Sequence, residues 1–146
     1  MKKRGYEQIT GIDASDGMLR EAEKKQAYAK LLEFYCCRDG LPEEITGKFD
    51  LACSSGLMAH DHVDGRILDE KIASLNPQSP HRFVVFTTRE SYLETLGYGA
   101  KIKELEEAGK IQFVMKKPFT RYGNTEGQEV GRFKPVQVSC FVYKAL

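Results

Sequence analysis

Asp13 is the first residue in this chain whose type and position point to chemistry. It closes a short apolar run, Ile9-Thr-Gly-Ile-Asp13, and is followed by Ala14-Ser15-Asp-Gly-Met18-Leu-Arg-Glu-Ala22. The run reads as a buried strand carrying Ile9 and Ile12, then a tight turn, then a helix capped by Ser15 with Met18, Leu19 and Ala22 at helical spacing. A carboxylate at the carboxyl end of a parallel strand points into the crevice where open α/β sheets bind ligands. There it can accept two hydrogen bonds from a ribose diol; the competing reading is an Asp that only caps the helix. A second group is Ser54-Ser55-Gly56, continuing to His60-Asp61-His62. Small residues at the end of a strand let the backbone approach a ligand closely. An imidazole could orient an acceptor or take its proton. Three adjacent residues cannot converge well on one ion, so no metal site is expected, and solvated loop histidines are the plainer reading.

The elements that must position these residues alternate between strand and helix. Residues 2–5 look like the last turn of a helix stopped by Gly5. Strands are expected at 8–12, 32–37, 49–54 and 82–88, the last so continuously apolar that it suits a strand covered on both faces. Cys36 and Cys37, adjacent in the second of these, would point to opposite faces. Helices are expected at about 16–25, at 64–75 with Leu68, Ile72 and Leu75 on one face, and at 91–108 as one long helix. That long helix would carry Tyr98, Ile102 and Leu105 on one face and close at Gly109, while 43–45 would form a single helical turn after Leu41-Pro42. A final strand pair, 111–115 and 136–143, would place Val136, Val138, Cys140 and Val142 on one side. The pattern predicts a mostly parallel sheet with an antiparallel C-terminal edge, in a single domain over 1–146. The connection 118–135, with Gly123, Gly127 and Gly131, is longer than the roughly 12–15 residues usual for a plain loop.

Composition narrows the classes. With 41% hydrophobic and 29% charged residues and a formal net charge of +1, the chain reads as an ordinary globular protein without the long-range field that nucleic acid or an anionic membrane would call for. No apolar run approaches the roughly 18–20 residues of a membrane span, and nothing after Lys2-Lys3-Arg4 looks like a signal-peptide core, so a cytoplasmic or nuclear location is expected. Cys36, Cys37, Cys53 and Cys140 each lie in an apolar run with no zinc spacing, which suits buried, reduced thiols.

The words of the first motif carry more than its pattern. G-I-D-A-S-x-x-M-L-x-x-A resembles the second motif of class I S-adenosylmethionine-dependent methyltransferases, in which the Asp holds the ribose hydroxyls of the cofactor. Gly5-Tyr6, Leu41-Pro42, Phe49-Asp50-Leu51 and the strand at 83–89 fall in that family's order. Within it the chain looks closest to the methyltransferase-like proteins named after the Williams-Beuren syndrome chromosome region. The resemblance implies an α/β, Rossmann-like methyltransferase sandwich that binds S-adenosylmethionine. Asp13, Ala14, Ser15 and Met18 would hold the ribose and one face of the adenine. Cys37, Arg38 and Asp39 would lie near the adenine amino group. Relatives often carry an Asp five residues before the Pro of their Leu-Pro step; here Cys37 stands there and Asp39 comes two residues later, so adenine recognition would fall to backbone groups and Asp39, and a surface-loop Asp is an equal reading. Ser54, Ser55 and Gly56 would face the transferred methyl group, with His60 and His62 toward the acceptor. The region of Arg121, Tyr122 and Arg132 often covers the substrate in this fold.

The resemblance also implies something missing. Nucleotide folds place a glycine-rich loop about 20 residues before the ribose-binding acid, which from Asp13 falls before Met1. The expected fold therefore lacks its first strand and glycine loop, and the chain reads as an incomplete form of a larger protein. Methyl transfer demands alignment more than acid–base help, because the sulfonium already activates the methyl group, and no catalytic residue is assigned. The acceptor would be a small molecule or a protein. Two other readings stay open: a nicotinamide-dependent oxidoreductase, against which the Ala-Ser-x-x-Met-Leu continuation and the lack of Tyr-x-x-x-Lys both count, and a catalytically silent remnant that binds a partner through an uncovered sheet edge.

Overall fold

The computed structural model describes residues 1–38, 40–122 and 135–146. Asp39, Arg132 and the three glycines at 123, 127 and 131 lie outside the described residues. The chain falls into two compact units, Met1–Asp39 and Gly40–Leu146, and each is described by itself.

In the first unit a 3-10 turn, Lys2–Arg4, is closed by Gly5 in the left-handed region at φ 85°. Strand β1 (Thr10–Asp13) pairs in parallel with β2 (Lys30–Glu33), in the register Thr10 to Lys30 through Asp13 to Glu33. Helix α1 (Asp16–Lys24) connects them, with Asp16 in its first turn and Lys24 in its last, both favourable to the helix dipole. Gly11 is a packing requirement: a Cβ there would lie 2.8 Å from Leu31 Cδ2 and 2.9 Å from the Tyr28 ring. The second strand is shorter and earlier than the expected 32–37. Its partner β1 ends at Asp13; one more ladder bond forms, from Phe34 N–H to the Asp13 carbonyl at 3.1 Å, and the chain then leaves the sheet. Cys36 to Arg38 form a turn, with Cys37 at φ 64°, so the two cysteines do not occupy opposite faces of a strand.

The second unit contains β3 (Leu51–Ser54), α2 (Arg66–Ser74), β4 (Phe83–Thr88), α3 (Glu90–Thr95), α4 (Tyr98–Glu107), β5 (Ile111–Arg121) and β6 (Val136–Ala145). Its sheet runs β3-β4-β6-β5. The β3–β4 pair is parallel, whereas β4–β6 and β6–β5 are antiparallel. This is the expected α/β, Rossmann-like arrangement with an antiparallel C-terminal edge. Register aligns Ala52, Val84 and Tyr143, and likewise Ser54, Phe86 and Phe141, on one face of the sheet. Leu68 and Ile72 of α2 and Leu105 of α4 pack there with Val84, Ile111 and Tyr143. Fully burying one such side chain contributes about 1.5–3 kcal/mol, which is why this face rather than the other carries the core.

Several expectations are corrected by that one-sided packing. The β4 strand alternates between buried Val84, Phe86 and Thr88 and half-buried Phe83, Val85 and Thr87, so it is not equally covered on both faces. In β6 the side bearing Ser139, Phe141, Tyr143 and Ala145 is buried throughout, while on the side of Val136, Val138, Cys140 and Val142 only Val138 is buried and the other three are half-buried. The expected face of α2 stands, with Leu68 and Leu75 buried and Ile72 half-buried, and it widens to take in Ile67, Lys71 and Ser74. Cys53 is exposed on β3, and Cys36 and Cys140 are half-buried, so only Cys37 is buried among the four free thiols. The long helix is two, because Gly97 takes φ 73° between α3 and α4. Gly99 serves a different need, since a Cβ there would come within 2.9 Å of the Leu93 carbonyl oxygen. Tyr98, Ile102 and Leu105 are buried on α4 as the spacing predicts. The β5 strand continues to Arg121 because its ladder with β6 persists through Pro118, with a bulge between Phe113 and Met115. Proline is tolerated because β5 is the outer strand of this sheet.

Tyr143 gives this core a pH signature. Burial of the phenol, reinforced by the nearby Glu106 carboxylate, pushes its pKa up to about 12. The folded chain thus holds the phenolic proton more tightly than the unfolded chain, whose tyrosine titrates near 10. The resulting stability is complete below about pH 10 and is lost as pH rises toward 12. In an alkaline series of thermal unfolding, Tm of the natural chain should fall more steeply over that window than Tm of Tyr143→Phe. Parallel slopes would show that the phenol is not the titrating element.

Candidate functional site

In the first unit, β1 delivers Asp13 to the carboxyl end of a parallel pair, and the next residues turn directly into α1. Asp13 Oδ1 accepts the Ser15 N–H at 2.9 Å, and Ser15 Oγ in turn accepts the Met18 N–H at 3.3 Å. The motif read as strand, turn and capped helix is therefore one hydrogen-bonded unit. Asp13 is half-buried, while Ala14, Ser15 and Met18 are exposed, Met18 at 59%. Among the described residues nothing pairs with the second carboxylate oxygen of Asp13. Because β1 and β2 are parallel and end together, the turn containing Cys37 and Arg38 leaves the same end of this small sheet as Asp13. Cys37 is buried there, and the Arg38 guanidinium stacks on the Tyr35 ring, 4.6 Å from its centroid.

In the second unit, Ser54, Ser55 and Gly56 end β3 beside the end of β4. Gly56 adopts φ 77°. Its N–H donates to Thr87 Oγ1 at 3.2 Å, and the Thr87 hydroxyl donates to Ser55 Oγ, also at 3.2 Å. Arg121 reaches this turn from the end of β5: a Cβ on Gly56 would lie 3.1 Å from Arg121 Nη1 and 3.3 Å from Nη2. Its guanidinium stands over the Tyr122 ring at 4.7 Å, with Tyr122 itself at φ 62°. Residues read from distant parts of the sequence, 54–56 and 121–122, thus meet at one end of one sheet. Ser54 aligns instead with Phe86 on the helix-covered face, where its Oγ is buried without a hydrogen-bond partner among the described residues. Sequence reasoning missed Thr87; its signal was a pair of threonines closing the most apolar run in the chain.

The segment after Gly56 is pinned from two sides. Thr88 Oγ1 donates to the Met58 carbonyl at 2.8 Å, and the Tyr98 hydroxyl donates to the Val63 carbonyl at 2.6 Å. Met58 is buried at 1% exposure. His60 and His62 are exposed between these anchors, and His60 packs edge-on against Tyr92 with centroids 4.9 Å apart. Arg89, 5.2 Å above the same Tyr92 ring, is a further neighbour that the motifs did not single out. The start of α3 is fastened by Glu90, which accepts from the buried Ser139 hydroxyl at 2.7 Å and from Lys116 at 3.0 Å. Those two partners hold its carboxyl below the usual range. Among the described residues no group of three His, Cys, Asp or Glu side chains could hold a metal ion, and no helix is long and apolar enough to cross a membrane.

Comparison with solved structures places the architecture. The N-methyltransferase NodS from Bradyrhizobium japonicum WM9 superposes with a TM-score of 0.58 at 14% identity, over 94% of this chain and 73% of NodS. Its structure in complex with S-adenosyl-L-homocysteine gives 0.60 at 13% identity, over 94% of this chain and 66% of that one. The PH0226 protein from Pyrococcus horikoshii OT3 gives 0.61 at 12% identity, over 99% and 74% of the two chains. The fold is the Rossmann-like fold of class I methyltransferases. In sequence the chain is 29% identical over 126 residues to human methyltransferase-like protein 27, a match that covers 83% of this chain and 49% of the human protein. The chain thus spans about half the length of that relative, and no family model matches it.

The anchoring of the histidine segment is open to a direct test. Tyr98 is fully buried, so Tyr98→Phe leaves the Val63 carbonyl without this donor while preserving the ring packing. Losing one partner of a buried hydrogen bond costs about 1–3 kcal/mol. Urea unfolding of Tyr98→Phe should show a loss of that size, accompanied by faster amide exchange in residues 57–63. Unchanged stability and exchange would refute the anchoring role.

Proposed function

We propose that this chain is the cofactor-binding part of an S-adenosylmethionine-dependent methyltransferase. The observation that carries the reading is Asp13: a half-buried carboxylate at the carboxyl end of a parallel strand, one oxygen committed to the turn before a capped helix and the other unclaimed by the described residues. That donor set fits a ribose diol. The 29% identity to methyltransferase-like protein 27 and the fold shared with NodS, solved with S-adenosyl-L-homocysteine, support the same cofactor.

In this reading Asp13 orients the ribose, with Ala14, Ser15 and Met18 beside the adenine, and the turn at Cys37 and Arg38 offers backbone groups to the base edge. In the second unit, Ser55 and Gly56 provide an approachable backbone, and His60 and His62 stand on the segment assigned to the acceptor. S-adenosylmethionine supplies, when bound, a methyl group already activated by its sulfonium. The residues have only to align it with the acceptor and exclude water. The acceptor is a small molecule or a protein, and the setting cytoplasmic or nuclear. We also read the chain as part of a longer methyltransferase domain, which its span of 49% of the human relative supports.

A second reading has its own observation. Among the described residues β1 pairs only with β2 and β3 only with β4, so each offers an open strand edge of the kind that recruits another chain. A catalytically silent interaction module would use such an edge.

Isothermal titration of the purified 146-residue chain with S-adenosylmethionine and S-adenosylhomocysteine separates the two. Saturable binding is expected, weakened about tenfold or more in Asp13→Ala, the loss appropriate to charge-assisted hydrogen bonds. The absence of binding by a demonstrably folded chain would overturn the cofactor reading and leave the interaction module.

A further inference from the structure

We propose that Arg121, together with the Ser55 hydroxyl that Thr87 orients, forms an oxyanion site that holds a carboxylate or phosphate group of the methyl acceptor. The inference rests on the methyltransferase reading only for what carries that group; the anion site itself stands on the geometry of the second unit. The parallel strands β3 and β4 end beside one another, at the end of the sheet where α/β folds take their ligands. Gly56 leaves an open place in the backbone there, and the Arg121 guanidinium lies over it, within 3.1–3.6 Å of where a side chain would begin.

Three features make this a recognition site and not a passing surface arginine. First, the guanidinium is oriented. It rests on the Tyr122 ring, and Tyr122 adopts φ 62°, a left-handed conformation that is costly for a bulky residue and that recurs at ligand clamps. Second, Arg121 is not spent on an acid among the described residues. Among the described residues no carboxylate pairs with it, whereas Arg20 is taken by Asp16 and Arg66 by Asp64. Third, a donor stands beside it. The Thr87 hydroxyl accepts the Gly56 N–H and gives its own proton to Ser55 Oγ, which leaves the Ser55 proton for an incoming oxygen. A planar guanidinium matches carboxylate and phosphate through two parallel hydrogen bonds, and a neighbouring hydroxyl adds a third.

The test uses the full 146-residue chain labelled with 15N, read at the Arg121 side-chain Nε–H and at the Ser55 and Gly56 amides. Sodium acetate and sodium phosphate are titrated separately against sodium chloride at matched ionic strength, with and without saturating S-adenosylhomocysteine. The expected result is a saturable shift confined to those groups, retained in the presence of S-adenosylhomocysteine. It should weaken about tenfold or more in Arg121→Gln and by less in Arg121→Lys, which keeps the charge but loses the fork. Arg121 is exposed, so neither variant should move the thermal unfolding midpoint. A response to acetate alone assigns a carboxylate acceptor and to phosphate alone a phosphorylated one. Shifts no larger than those with chloride, or equal in Arg121→Gln, would overturn the site. Shifts abolished by S-adenosylhomocysteine would overturn the acceptor assignment and give Arg121 to the cofactor's own carboxylate. If S-adenosylhomocysteine does not bind while the anion shifts persist, the methyltransferase reading fails and the oxyanion site survives it.

Discussion

The ring of Phe86 is the fixed point of the larger unit. It is wholly buried on β4, stacked on Phe141 at 5.3 Å and on Tyr143 at 6.1 Å across the antiparallel ladder. The same strand pairs on its other side with β3, in parallel. One aromatic cluster therefore decides which face of four strands turns inward, and α2 and α4 must cover that face to remove it from water. It also fixes where β4 ends. Thr87 and Thr88 come directly after Phe86, and the alternation of a strand sends their side chains to opposite faces. Thr88 goes inward to the Met58 carbonyl and Thr87 outward to Gly56 and Ser55. The core and the ligand end of the sheet are thus set by the same register, and a one-residue slip would exchange them.

What could be read from sequence was what depends on near neighbours. The Ser15 cap, the glycine stop at Gly5 and the buried face of α4 each rest on interactions spanning a few residues, and they stand as read. The errors share a different cause. One long helix was expected at 91–108 because its apolar spacing continues through Gly97; only the backbone conformation there, φ 73°, divides it, and a lone glycine inside a periodic pattern does not announce that. Both sides of β6 alternate cleanly, so periodicity alone could not say which side faces the helices. The second strand ended early because β1 gave it only four partners, which is a property of β1 and not of residues 32–37.

The ligand-facing groups divide along the same line. The placement of Asp13 was legible because it is written in one continuous motif and sits in a hydrogen-bonded turn two residues long. Arg121 was placed near a substrate only through the resemblance to methyltransferases. Its position over Gly56 follows from the ten-residue ladder between β5 and β6 and from the order β3-β4-β6-β5. No local pattern around residue 121 encodes a neighbour 65 positions away. Thr87 escaped notice for the complementary reason: inside an apolar strand a threonine reads as a β-branched filler, and its hydroxyl acquires meaning only when the end of β3 lies beside it.

The histidines and the arginine differ in how the structure holds them. His60 and His62 carry the chemistry most often associated with catalysis, yet His60 is engaged with the Tyr92 ring, and the proposed methyl transfer from a sulfonium makes little demand on a base. Arg121 offers no proton transfer, but it is oriented by a ring and placed where parallel strands end. With a net charge of +1 over the whole chain, there is no broad field to draw an anion in, and at physiological salt an exposed charge is screened beyond roughly 8 Å. The proposed oxyanion site would therefore select by contact: by the spacing of two nitrogens and a hydroxyl, after the ligand has already arrived. A site of that kind discriminates by shape and hydrogen-bond geometry and contributes little to the rate of encounter.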